Sequence, residues 1–133
     1  VFENLTDGME ASPESLHVKG RNVHVRAAAK GVARFTFDAL CQQPLGAEDY
    51  LKISDTYHSV LLEDVPHMKN QNRNELKRLM NLVDVLYENH IRLIISADAP
   101  PDKLYSGEDN AYEFERTISR LQEMQSADYL SSV

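Results

Sequence analysis

Two stretches of this 133-residue sequence carry side chains whose types and spacing could do chemistry. In the run from His58 to Pro66, "HSVLLEDVP", an apolar segment ends on Glu63 and Asp64. A buried strand that delivers carboxylates in this way can hold a magnesium ion beside the phosphates of a nucleotide. In "YEFERTISRLQEMQ", Arg116 and Arg120 stand four apart and so share a helical face, where like charges cost each other about 0.2 to 0.5 kcal/mol. Either Glu113 and Glu123 offset that cost by pairing with Arg116 and Arg120 at three-residue spacing, or the two guanidinium forks face an external anion such as a phosphate on another domain or subunit.

The acidic pair can be tested against the rest of the chain. Hydrolysing a nucleoside triphosphate requires a loop of backbone N–H groups around the phosphates and a lysine that reaches them, written G-x-x-x-x-G-K-[ST]. The five glycines are followed by Met9, Arg21, Val32, Ala47 and Glu108, so none precedes a lysine. Glu63 and Asp64 therefore read as a look-alike, expected to accept local backbone N–H groups or to pair with the basic surface of a neighbour. In an extended strand they would also point to opposite faces, which is wrong for two groups sharing a proton. An independent enzyme built on Glu63, Asp64 and Asp98 is the weakest reading. No G-x-S-x-G elbow occurs, and Cys41 has no defined base partner, so it reads as a buried apolar residue and the chain is assigned no catalytic residue of its own. His17, His24, His58, His67 and His90 lack metal-ligand spacing and read as surface imidazoles, with no metal site.

Composition narrows the class further. The apolar share of 42% and charged share of 26% are those of an ordinary globular chain, and the length suits one domain with its own core. A formal charge of -7 argues against nucleic-acid binding; the one locally basic segment, Lys19 to Arg34, reads as a solvated hairpin edge. No apolar run approaches the roughly 18 residues of a spanning helix. Cys41 is the single cysteine, which excludes an internal disulfide and fits a reducing compartment. The chain opens on Val1-Phe2-Glu3-Asn4, with neither an initiator Met nor a signal-peptide pattern. That opening reads as a piece cut from something longer.

The elements that must position these residues follow from periodicity. Residues 1–14 read as a short helical turn or loose lead-in, and residues 15–29 as a β-hairpin with Leu16, Val18, Val23, Val25 and Ala27 on its apolar face. Ala33, Phe35 and Phe37 alternate as a strand, with Asp38 placed to cap a helical turn. Pro44-Leu45-Gly46 opens a helix presenting Ala47, Tyr50, Leu51 and Ser54, and "HSVLLEDV" follows as a continuously apolar strand. Asn72 and Glu75 form a capping pattern ahead of a helix lined by Leu76, Leu79, Met80, Val83, Leu86 and Tyr87. Ile91 to Ala97 is a buried strand stopped by Pro100-Pro101, and Phe114, Ile118 and Leu121 mark a last helix to about Ser126. The whole is predicted to be α/β, a small three-layer sheet with parallel core strands and flanking helices over residues 32–130, preceded by the hairpin. The alternation of strand and helix is that of a doubly wound sheet, which places Glu63, Asp64 and Asp98 at the ligand-binding edge.

Three segments in order, "FDALCQQPLGAEDYL", "RLMNLVDVLYENHIRLIISADAPPDKLY" and "FERTISRLQEMQSADYL", resemble the C-terminal region of the ZapE-type AAA+ ATPases, the family of the bacterial cell-division ATPase and its mitochondrial lactation-elevated relative. The resemblance covers about residues 14 to 130. It implies that the P-loop, the true acidic strand and the first sensor lie in an N-terminal module, with ATP and magnesium bound there and not by this stretch. It further implies a ring-like homo-oligomer whose ATP hydrolysis serves cell division or protein quality control, with a division-ring or membrane-protein substrate. The location it implies is the cytoplasm or the periphery of the inner membrane, mitochondrial in a eukaryotic parent. The family's arginine-containing block lands on Arg116 and Arg120, which are thereby candidates for nucleotide sensing. The second class of function left open is a protein-interaction module, using the "SADAPPDKLY" and "GEDNAY" loops to select a partner.

Overall fold

The protein is described here from a computed structural model, which covers residues 12–18, 21–126 and 129. It begins with three strands in a meander: β1 (Ser12–Val18), β2 (Arg21–Ala29) and β3 (Val32–Thr36). Strand β2 turns into β3 through Lys30 and Gly31, at φ 51° and 76°. Positive φ at both central residues gives the two-residue turn whose twist matches that of the flanking strands. A side chain on Gly31 would also meet the His58 ring at 2.6 Å. The turn residues 19–20 and the lead-in up to residue 11 fall outside the described residues, while Ser12 to Glu14 belong to β1 and not to the lead-in.

Helix α1 (Phe37–Cys41) and helix α2 (Ala47–Thr56) connect β3 to β4 (Ser59–Val65), and α3 (Arg73–Glu88) connects β4 to β5 (Arg92–Ala97). Helix α4 (Ala111–Glu123) closes the series. The sheet order is β1-β2-β3-β4-β5, antiparallel through β3 and parallel from β3 to β5. The α/β class, the parallel core strands, the flanking helices and the leading hairpin are those expected from the sequence. The doubly wound order is not formed. Neighbours in the sheet follow chain order, so two successive right-handed crossovers place α1, α2 and α3 on the same face. The sheet therefore has no switch point at which strand order reverses.

The core lies between that face and the helices. Ala33, Phe35, Val60 and Leu62 from the strands meet Leu40, Tyr50, Ile53, Leu76, Leu79 and Leu86 from the helices. Each such aliphatic side chain contributes about 1.5 to 3 kcal/mol on leaving water. Three local expectations change. Thr36, not Asp38, caps α1, its hydroxyl accepting the Ala39 N–H at 3.1 Å. Helix α2 buries Asp49, Tyr50 and Ile53, while Leu51 is exposed, because the helix meets the hairpin end through Asp49. Asn72 does stand at the start of α3, but its side chain reaches back to accept the Lys69 N–H at 3.0 Å and makes no cap bond.

Beyond the carboxyl ends of β4 and β5 the chain is knitted shut. Met68 and Tyr105 form a parallel bridge. The Asn70 side-chain oxygen accepts the N–H groups of Glu108 and Asp109 at 2.8 and 3.1 Å and the Tyr105 hydroxyl at 3.1 Å. Gly107 lies so close to Asn70 and Tyr105 that a Cβ would collide with both. Among the described residues no helix is long and apolar enough to cross a membrane.

Candidate functional site

The two sequence-selected stretches become two clusters of the same composition, each one carboxylate with two arginines. Glu63 sits on the sheet face turned away from the helices. Arg34 of β3 donates to it through Nε and Nη2 at 3.0 and 2.9 Å, and Arg26 of β2 approaches at 3.5 Å. The hydrogen bond to Glu63 raises the Arg34 pKa, with the carboxylate's charge acting in the same direction and burial opposing it. A β-bulge in β4 between Leu62 and Val65 leaves Asp64 at φ 63°. Bulges re-aim a side chain, and here Asp64 comes within 3.8 Å of the same Arg26, so the pair does not split between faces as an unbroken strand would require. The basic segment is consequently not a free solvated edge. Arg26 and Arg34 serve Glu63, and Arg21 donates to buried Asp49 at 2.9 and 3.3 Å. Asp49 also accepts the Gly46 N–H at 2.8 Å, tying the hairpin to the start of α2.

Glu63 does not fit a magnesium site. Both its oxygens accept from guanidiniums, and cations there oppose a metal. Asp98 follows β5, its N–H bonds the Val65 carbonyl at 3.0 Å, and it stands at the groove bounded by Pro100 and Pro101. Among the described residues no group of three His, Cys, Asp or Glu side chains could hold a metal.

Arg116 and Arg120 do share one face of α4, but their partner is neither Glu113 nor Glu123. Both reach across to Asp84 on α3, Arg116 at 3.0 Å and Arg120 at 2.5 Å. Arg120 also lies over the Tyr87 ring at 4.9 Å from its centre, a cation–π contact worth about 0.5 to 2 kcal/mol. The Arg116 side chain is 63% exposed against 22% for Arg120. Arg120 is thus held between α3 and α4, while Arg116 has one partner and most of its surface in water. Sequence reasoning missed Asp84: it is 32 and 36 residues from the arginines, and no local spacing links them. Its lone charge in "NLVDVLY" was the available signal.

The remaining candidate nucleophile is inert. Cys41 is buried, and burial pushes its thiol up to about 12, with Arg78 opposing. Arg78 donates to the Cys41 carbonyl at 3.0 Å, and Tyr50 donates to the Leu40 carbonyl at 2.7 Å, so both polar groups here support the backbone of α1. His58 bonds Ser59 and the Lys30 carbonyl, each at 2.9 Å, a structural use of the imidazole. Alongside β5 a groove of about 410 Å³, with Asp98 and Gln125 among its lining residues, runs over Leu93 and Ile95 and is bounded by Pro100, Pro101, Leu104 and Leu121.

The model of the AFG1-like ATPase family matches residues 1–133. The cell division protein ZapE of Escherichia coli K12 is 35% identical over 126 residues, which cover 95% of this chain and 34% of that protein. Lactation elevated protein 1 homolog B of Danio rerio is 29% identical over 149 residues, covering 88% of this chain and 30% of that protein. No solved structure matches. The chain spans about a third of the length of the curated relatives it matches. Matched from end to end by the family's own pattern, this chain belongs to the AFG1-like ATPases.

Proposed function

We propose that this stretch is an accessory α/β domain of an AAA+ ATPase, one that docks on the nucleotide-binding module of the same polypeptide and offers it the α3–α4 face. The observation that carries this reading is the sharing of Asp84 by two arginines, the more exposed of which, Arg116, can turn to a phosphate while Arg120 still neutralises the half-buried carboxylate. ATP and magnesium are held by the P-loop module, since the glycines here build no phosphate cradle. The domain in isolation does not hydrolyse ATP. The whole protein works as a homo-oligomeric ring in cell division or protein quality control, in the cytoplasm or at the inner membrane, and mitochondrial if its source is eukaryotic. Its division-ring or membrane-protein substrate is recognised elsewhere or by the loops of this domain. Nucleic acid is not a partner.

The test is ATP turnover of the full-length protein. Arg116→Ala should lower it by about a hundredfold, the scale on which a charge-stabilising arginine acts, while thermal unfolding of the domain hardly moves. Turnover unchanged with Arg116 and Arg120 both replaced by Ala would remove the nucleotide role. A second reading, a module that selects a partner through "SADAPPDKLY", draws support from the groove, whose walls include Ala99, Pro100, Pro101 and Leu104 of that segment. Mixing the purified domain with the purified P-loop module separates the two: the first reading requires a complex, the second does not.

A further inference from the structure

We infer that Tyr129 is a positioning residue for the arginine pair: by stacking on Tyr87 it fixes Arg120, and not Arg116, as the guanidinium that stays on Asp84. This rests on the nucleotide role proposed for the α3–α4 face and adds the residue that decides which arginine can be released to serve it. Arg120 chooses a partner that helix spacing does not explain. Glu123 stands three residues on along α4, where a helical ion pair forms readily, yet Arg120 bonds Asp84 on α3 at 2.5 Å. Glu123 is occupied. The Tyr87 hydroxyl donates to it, and that bond, with burial and the Glu123 charge, raises the Tyr87 pKa while Arg120 opposes the rise. Tyr87 thus turns its hydroxyl to Glu123 and its face to Arg120, whose guanidinium carbon lies 4.9 Å from the ring centre. Asp84 precedes Tyr87 by three residues on α3, on the same side of the helix, so ring and carboxylate form one seat for one guanidinium.

Tyr87 is held in that orientation from beyond the last residue of α4. Tyr129 packs its ring on Tyr87 with centres 5.9 Å apart and planes 10° from parallel, and lies against the His90 ring at 5.8 Å and 19°. Ring centres at these separations are in the range of favourable offset stacking. Tyr129 is itself anchored. Its hydroxyl donates to the carbonyls of Ile91 and Leu86 at 2.6 and 3.3 Å, its N–H donates to the Ser126 hydroxyl at 3.2 Å, and the residue is buried. Arg116 reaches Asp84 at 3.0 Å and rests on no ring among the described residues. The column of Tyr129, Tyr87 and Arg120 therefore selects the arginine that stays. Without it Glu123 and Asp84 compete for Arg120, and Asp84 comes to depend on Arg116, the guanidinium whose release the nucleotide role requires.

Double-mutant cycles in urea unfolding of the chain test this without nucleotide. Tyr129→Leu removes the ring and keeps apolar bulk. Combined with Arg120→Ala it should show a coupling of about threefold or more in the unfolding equilibrium constant, and combined with Arg116→Ala almost none. Tyr129→Phe keeps the ring, so its coupling to Arg120 should be much smaller than that of Tyr129→Leu. Tyr129→Met supplies the same cycle should Tyr129→Leu fail to fold. In the full-length protein Tyr129→Leu should lower ATP turnover by about threefold or more, and adding Glu123→Gln should restore most of the loss, because the competing carboxylate is gone. A residue that only fills space would favour neither arginine and gain nothing from Glu123→Gln. Additive effects of Tyr129 and Arg120, equal coupling to both arginines, equal coupling from the Phe and Leu variants, or a loss of turnover that Glu123→Gln leaves unrepaired would each overturn the inference. If the coupling is found but neither Arg116→Ala nor Tyr129→Leu alters turnover, the nucleotide role fails and the seat of Arg120 stands.

Discussion

Glu63 and Asp84 are each a carboxylate between two arginines, yet they are built from different materials. The arginines of Glu63 come from strands of one sheet, where ladder hydrogen bonds hold them in register. Those of Asp84 come from a separate helix, so the cluster depends on how α4 sits on α3. Arg34 binds Glu63 through two parallel bonds and is 30% exposed, whereas Arg116 reaches Asp84 through one and is 63% exposed. The first cluster is a closed structural tie. The second can give up Arg116 and still neutralise Asp84 through Arg120. Equal composition therefore carries different functional potential, and connectivity decides which.

Four measurements sharpen or break that contrast. The largest effect should come from alkaline pH, which leaves both arginine clusters charged but titrates the core behind them. Burial raises Cys41 from 9.0 to about 12 and Tyr129 from 10.0 to about 12 in the folded state. Folding thus favours the protonated forms. Their stabilisation is complete below pH 9 and is lost as pH climbs through about 12, so the melting temperature should fall across that window. Cys41→Ala should make the fall shallower; an identical curve would show that the thiol is not the titrating group. Next in size, Glu63→Ala leaves Arg26 and Arg34 facing each other and should cost about 2 kcal/mol in urea unfolding.

Arg120→Ala should cost about 1 kcal/mol, since it loses both Asp84 and the Tyr87 ring. Arg116→Ala should cost less than about 0.5 kcal/mol. If the two helix arginines prove equally costly, the proposed division between a fixed and a releasable guanidinium is wrong.

Much of the architecture was legible in the sequence. Continuous apolar runs marked β4 and β5, and the three- and four-residue spacing from Leu76 to Leu86 marked α3, because one buried stripe on a long helix leaves an unmistakable period. The site was less legible. Thr36 outcompeted Asp38 as a cap because β3 ends one residue earlier than alternation through Phe37 suggested. The outward turn of Leu51 follows from Asp49, whose burial is compensated by Arg21 of the hairpin, a partner 28 residues away. The bulge at Asp64 has no glycine to announce it.

By itself the sequence determined the α/β class, the order of elements, that none of its glycines precedes a lysine, and the burial of Cys41, since each depends on local pattern or on the residues as written. Tertiary structure alone decided that the helices wind on one face, that Glu63 is claimed by arginines and not a metal, and that Asp84 gathers Arg116 and Arg120. Those outcomes are pairings between residues distant in the chain. Charge pairing acts through space, and spacing along a sequence carries no record of it.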